Sequence, residues 1–464
     1  MLKLLMPLVL LAIVIGLVVV ADRPRPRADF VFHNGQDVAT LDLQKMSWSM
    51  DLRAARIVFE GLARNDAFSP GFEPIPAAAE AWEISPDGKT YTFRIREEAR
   101  WSNGEPVRAH DFVYSWRRAL LPDTAADYFK LFTIIEGAKP FYDWRTRALE
   151  AFAAGESDYA TGDELWAATE ARFNETVGLR AIDDKTLEVR LIRPVPYFLD
   201  LMAFAVFYPV YPPLVEQYDV LDPAGSGRIV SKPGWTKPPH IVSNGPFMLT
   251  EWRFKRDMTF EQNPHWWDRD SLDVRTMQAI TINDPNAQVL AYQTGAVDYL
   301  ADVTAAFRRE MFAQKQTFLD EHAEQVAELR AQGLDQFEID RRLPDDPRKH
   351  THVVSAFGTY WYNFNCLPNL LDGRPNPFAD ARVRRAFAMT IDKQTIAEKV
   401  RGMGEPVARS LVPPGSIPGY TPPAGLKCIS DGKTDAEREA IAAEARALLA
   451  EAGWPNPSEF PVVD

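Results

Sequence analysis

Residues 81–96 constrain this chain more tightly than any other stretch. They read Ala81-Trp82-Glu83-Ile84, then Ser85-Pro86-Asp87-Gly88, then Lys89 and Thr90-Tyr91-Thr92-Phe93-Arg94-Ile95-Arg96. Proline and an Asp-Gly pair between two apolar arms predict a β-hairpin. The second arm alternates, so Tyr91, Phe93 and Ile95 share one face of the strand. Residues 111–120 follow as a short helix that turns Phe112, Val113, Trp116 and Leu120 inward. Strand and helix so close together place the chain in a mixed α/β class.

Other segments fit that class. Residues 29–32 predict a first strand that ends at the turn Asn34-Gly35. Residues 51–62 have helical spacing, stopped by Gly61. Leu187 to Leu191 predicts another strand, and Phe247-Met248-Leu249 with Met258-Thr259-Phe260 a strand pair. Prolines 194, 196, 209, 212 and 213 break the intervening stretch into loops and short helices. Residues 308–342 are polar and helix-forming, with Lys315, Glu321, Glu324 and Glu328 on solvated faces. They predict an inserted, largely exposed helical hairpin with little apolar face to bury. Residues 435–452 predict a helix that Gly453 and Pro455 end. At 464 residues the chain exceeds one ordinary core, so two or more domains or one large composite fold are expected.

The N-terminus is an address. After Lys3, residues 4–20 form an unbroken apolar run, followed by Asp22, Arg23, Pro24 and Arg25. The shape over residues 1–21 is that of a signal peptide. An uncleaved anchor is the alternative, since the run just reaches the length needed to span a bilayer. Either one exports the rest, with residues 22–27 as a tether. Export permits a Cys366–Cys428 disulfide, although two buried free cysteines fit the sequence at least as well. A net charge of −13 argues against a general nucleic-acid binder, which needs a basic stripe.

No catalytic set is legible. HExxH, GxSxG, GxxxxGK[ST] and GxGxxG motifs are all absent from the sequence. His350 and His352 could share a strand face, but no nearby carboxylate or cysteine completes a metal set. Asp183-Asp184 and Asp345-Asp346 read as turn acids, because neighbouring strand residues point to opposite faces. The reading is therefore of a non-enzyme, with no cofactor and no metal.

Several blocks together resemble the extracytoplasmic oligopeptide-binding proteins of ABC transporters, solute-binding protein family 5, the peptide/nickel branch. The hairpin above continues into Trp101-Ser102-Asn103-Gly104-Glu105-Pro106-Val107 and Asp111-Phe112-Val113-Tyr114-Ser115-Trp116-Arg117-Arg118. Further matching blocks are Ser243-Asn244-Gly245-Pro246-Phe247, Asn263-Pro264-His265-Trp266-Trp267-Asp268, Tyr292-Gln293-Thr294-Gly295-Ala296-Val297-Asp298 and Pro377-Phe378-Ala379-Asp380-Ala381-Arg382-Val383-Arg384. Leu43 stands where the family's opening block usually has proline.

The resemblance implies an α/β, two-lobed periplasmic-binding-protein (Venus flytrap) fold with an extra small domain on the first lobe. Residues 28–61 and 190–355, with the 308–342 insert, would form the first lobe. Residues 62–189 would form the small accessory domain. Residues 356–464 would begin a second lobe that is incomplete, because family members continue past the Ala452-Gly453-Trp454 block. Tyr360-Trp361-Tyr362 would be an extended strand at the start of that lobe, and Phe460-Pro461-Val462-Val463 would start another.

In function, the resemblance implies a monomeric periplasmic receptor that closes on a short peptide and serves ABC transporter permease subunits. It would sit on the inner membrane if residues 4–20 are uncleaved. Nickel complexes, haem and sugars are other ligands within the family, and an anchored interaction scaffold is a further alternative. The implied peptide-binding residues are Ser47, Trp48 and Ser49, Tyr128, Asn244, Gly245 and Phe247, and Trp361. Phe247 lacks the hydroxyl of the tyrosine often found there. Trp48, Tyr128 and Trp361 each have packing as their alternative role, and Trp82, Phe93, Trp101 and Trp116 read as packing residues.

Overall fold

A computed structural model of the chain describes residues 26–67, 72–301, 303–353, 358–402, 404–414, 420–456, 458 and 460–461. The leader or anchor over 1–21, most of the tether over 22–27, and Val462 and Val463 lie outside the described residues. Among the described residues no helix is long and apolar enough to cross a membrane. The chain divides into two compact units, Met1–Asp302 and Val303–Asp464. Residues 303–355, expected in the first lobe, thus group with the chain that follows them.

The first unit runs through β1 (Phe30–His33), α1 (Ser49–Val58), β2 (Ala63–Asn65), β3 (Pro74–Pro76), β4 (Ala79–Ile84), β5 (Thr90–Ile95), α2 (Ala109–Ala119), α3 (Ala138–Ala154), α4 (Gly162–Thr176), β6 (Leu179–Ala181), β7 (Thr186–Arg190), β8 (Asp219–Leu221), β9 (Ile229–Ser231), β10 (Phe247–Arg253), β11 (Asp257–Gln262), β12 (Thr276–Ile280), α5 (Pro285–Gln293) and β13 (Tyr299–Leu300), with shorter helical turns between them. A five-stranded mixed sheet has the order β10-β11-β12-β1-β13. In it β1 runs parallel to β12 and β13, while β10, β11 and β12 are antiparallel. A four-stranded antiparallel sheet has the order β4-β5-β7-β6. Trp82 pairs with Phe93 across the predicted hairpin, and Phe93 with Leu187 on its other side. As the alternation requires, Tyr91, Phe93 and Ile95 are buried and Arg94 is exposed.

Helix α2 closes that sheet's core. Trp116 is fully buried, meets Phe112, Phe132 and Phe207 edge-on, and donates its indole N–H to the Phe207 carbonyl at 2.8 Å. Burying a side chain of this size contributes about 2–3 kcal/mol. One apolar cluster includes Phe32 and Phe260 of the larger sheet with Phe93 and Val189 of the smaller. The segments expected as first lobe and accessory domain therefore share a core.

Helix α1 ends at Val58, short of the predicted 62, for a local reason. The Glu60 N–H is bonded to Asn244 Oδ1 at 3.0 Å and so is withdrawn from the helical ladder. Gly61 follows in a close approach: a Cβ there would lie 2.4 Å from the Met202 carbonyl oxygen. Helices α3 and α4, which the reading left unassigned, bury Phe141, Leu149, Leu165 and Phe173. They also bury Arg145, paired with Asp123 at 3.0 Å.

The second unit contains α6 (Ala305–Glu321), α7 (Ala323–Ala331), α8 (Gln336–Arg342), α9 (Ala381–Met389) and α10 (Asp435–Glu451). The insert is helical, but it does bury an apolar face. Phe318, Val326, Leu329, Ile339 and Leu343 form its own small core. Lys315 donates to Asp340 at 2.5 Å inside it, and Asp340 also meets His352 at 2.8 Å. The spacing of charges along one helix hid a core built between three. Helix α10 starts at the capping box Thr434/Glu437 and packs Ile441 and Ala445 on Ala386 and Met389. Tyr360-Trp361-Tyr362 is not a strand. Among the described residues of this unit no named strand forms, so the segment has nothing to pair with, and all three rings are exposed. Cys366 is exposed and Cys428 buried, both as free thiols.

Candidate ligand-binding site

The loop before α1 presents Ser47-Trp48-Ser49. Leu41, Leu43 and Met46 anchor it in the core, all fully buried. Asp42 anchors it a second time by accepting two hydrogen bonds from Arg118, at 2.6 and 2.7 Å. Behind the helix start, the buried Asp51 accepts from the Ala39 N–H at 2.8 Å. With its neighbours so fixed, Trp48 is left 64% exposed at the N-cap of α1, with no side-chain cap hydrogen bond. An indole left this far in water is not core material.

The Ser243–Phe247 block lies at the other end of α1. Asn244 Oδ1 accepts from the Glu60 N–H, and Asn244 Nδ2 donates to the Glu60 carbonyl at 2.9 Å. The Gly245 N–H donates to the Val58 carbonyl at 2.9 Å. A Cβ on Gly245 would lie 2.6 Å from the Phe59 nitrogen, so only glycine fits that approach. Phe247 is buried as the first residue of β10. In this structure the fold itself occupies the Asn244 and Phe247 side chains, which the resemblance implied for the peptide. Ten residues of α1, about 15 Å of helix, separate this block from Trp48.

Tyr128 is half-buried, edge-on to Phe204 with ring centroids 5.2 Å apart. Trp361 is 56% exposed in the second unit, with its indole N–H on Asn363 Oδ1 at 3.0 Å. Among the described residues no group of three or more His, Cys, Asp and Glu side chains converges as a metal ion would require.

Sequence reasoning missed Glu60, which the same staple holds. Its buried carboxylate accepts from the indole of Trp267 at 2.8 Å and of Trp266 at 3.3 Å. Arg96 stacks on the Trp267 ring at 3.8 Å. Burial pushes the Glu60 carboxyl up to about 7, against the opposing pull of Trp267, Arg64, Trp266 and Arg96. The adjacent tryptophans were legible in the sequence as a block, but their acceptor lies about two hundred residues upstream.

The sign of the resulting pH dependence is fixed. The folded carboxyl titrates above its unfolded value, so the folded state holds the extra proton between about pH 4.5 and 7. The contribution of Glu60 is full below that window and falls as pH rises through it, by roughly 3 kcal/mol in all. In denaturant unfolding at a series of pH values, Glu60→Gln should flatten this part of the profile. An unchanged slope would place the proton elsewhere.

Residues 73–462 match the family described as bacterial extracellular solute-binding proteins, family 5 middle. The chain belongs to this family. It is 29% identical over 433 residues to the periplasmic oligopeptide-binding protein OppA of Salmonella typhimurium, covering 91% of this chain and 62% of that one. It thus spans less than two thirds of that relative's length. Among family-5 structures, it matches the Escherichia coli murein tripeptide binding protein MppA with a TM-score of 0.66 and 26% identity, covering 94% of this chain and 68% of the other. It matches Haemophilus influenzae OppA in complex with RPPGFSPFR with a TM-score of 0.62 and 26% identity, covering 93% and 68%. The α/β class read from the sequence holds, and the fold is that of the family-5 binding proteins.

Proposed function

We propose that the protein is an extracytoplasmic binding subunit that captures short peptides between two lobes and delivers them to an ABC importer. The observation that carries this reading is the Ser47-Trp48-Ser49 loop, anchored by buried side chains and presenting an exposed indole, in a chain whose relatives include proteins named for oligopeptides. Main-chain groups of such a loop pair with a peptide's main chain whatever its side chains, and hydrated pockets tolerate the rest. No covalent step is needed. Ser47, Trp48, Ser49 and the exposed part of Tyr128 supply the first-lobe contacts. Asn244 and Gly245 hold the helix behind them, and Trp361 is a further exposed candidate contact. Permease subunits read the closed state. Residues 4–20 either direct export or tether the protein to the inner membrane.

Two measurements test the proposal. A mixed library of short peptides should raise the melting temperature, because a ligand at a hundredfold excess over its Kd adds about 2.7 kcal/mol. Trp48→Ala should weaken binding by about 1–3 kcal/mol and leave the melting temperature of the free protein unchanged. A lowered melting temperature with unchanged affinity would make Trp48 a packing residue. A library without effect would move the ligand to another class.

A further inference from the structure

The first unit contains a cavity of about 210 Å³ whose lining does not include Trp48. It is walled by α2, α4 and the β8–β9 ribbon. Tyr114, Arg117 and Arg118 come from α2, Trp166 and Glu170 from α4, and Asp219 from the start of β8. Leu121, Leu221 and Ile229 give it an apolar side. At about 30 Å³ per water, it has room for roughly seven waters or one small organic molecule.

Its charges do not balance internally. Arg117 is paired with Glu170 at 3.0 Å. Arg118 is held bidentately by Asp42 and donates from Nε to Asp219 Oδ2 at 2.5 Å. Two guanidinium groups and Lys45, whose Nζ lies 3.8 Å from Asp42, therefore meet four carboxylates, the fourth being Glu216 at the rim. Asp219 has a side chain only 6% exposed, and its Oδ1 has no hydrogen-bond partner among the described residues. An orphan acceptor on a buried carboxylate is costly unless a donor arrives. Burial holds the Tyr114 phenol above its usual range, with Arg118, Asp219, Glu216 and Arg117 acting on it as charges. It therefore stays a neutral hydroxyl, and the cavity keeps its excess of negative charge.

We infer that this cavity is a second binding site, for a small alkyl ammonium ion. The ammonium group would sit on the Asp219 and Glu216 side, and its short alkyl chain would lie against Leu121, Leu221 and Ile229. A buried cation is favoured where carboxylates outnumber guanidinium groups, and it supplies the donors that the carboxylate side lacks. An anion would face the reverse field. The inference does not depend on the peptide reading, because the site uses none of the residues assigned to the peptide.

The test uses n-butylammonium as probe and the full chain as receptor, with saturation-transfer NMR to detect binding and titration to measure it. The expected result is saturable binding, with n-butanol, its neutral analogue, at least about tenfold weaker. Glu216 is exposed and Glu170 lies partly at the surface, so Glu216→Gln and Glu170→Gln should fold. Each should weaken n-butylammonium by about tenfold or more. Equal binding of amine and alcohol, affinity unchanged in both variants, or no saturable binding of the amine would overturn the assignment. The first outcome would leave an apolar cavity, the second would place the amine elsewhere, and the third would leave a site for water alone.

Discussion

Replacing Arg118 with alanine is expected to destabilise the first unit by about 3–5 kcal/mol. The guanidinium is buried, and it donates to Asp42, to Gln44 Oε1 at 2.8 Å and to Asp219. Removing it leaves the buried Asp219 without its cation and Asp42 with only Lys45 Nζ at 3.8 Å. That arrangement costs far more than an exposed ion pair, whose loss is worth about 1 kcal/mol or less. Arg118→Lys should recover little, because a single ammonium cannot reproduce the two-pronged contact with Asp42. Denaturant unfolding of wild type and both variants measures this directly. A loss below about 1 kcal/mol would mean that water replaces the guanidinium and that the loop bearing Trp48 is not anchored through Asp42.

Asn244→Leu should cost about 4 kcal/mol, because it strands two buried main-chain groups of Glu60 at about 2 kcal/mol each. The variant keeps the residue's bulk but provides neither donor nor acceptor. If Asn244 touched a peptide instead, the same substitution would weaken binding and leave stability near wild type. Unfolding and peptide titration on one variant therefore separate the two roles. An affinity loss without a stability loss would restore Asn244 to the site.

What the sequence revealed, and what it hid, follows from the range of the interactions. The β4–β5 hairpin and α2 were legible because turn chemistry and apolar spacing are local, and Phe93 and Trp116 sit as their patterns require. The segment Tyr360-Trp361-Tyr362 looks like a strand by composition, but a strand exists only with a partner, and no residue in the segment encodes one. Helices α3 and α4 escaped notice although Ala138, Phe141, Arg145 and Leu149 follow helical spacing. The arginine in that stripe reads as a solvated position, and its partner Asp123 lies twenty-two residues away.

The site was legible unevenly for the same reason. Trp48 reads as a loop aromatic and is one. Asn244 was placed near the ligand by resemblance alone, and nothing in its own block shows that both ends of its amide belong to Glu60. Glu60 carries no local signal, since burial by residues distant in sequence is what shifts its carboxyl.

The central claim, that the protein takes a peptide by its main chain, is tested most directly by calorimetry with three tripeptides. Two share a backbone and differ in their side chains, and the third repeats the first with its central peptide nitrogen methylated. The account predicts affinities within about tenfold of each other for the first two and a loss well beyond tenfold for the third, since a main-chain donor is gone. Equal affinity for the methylated peptide, or discrimination by side chain alone, would contradict it.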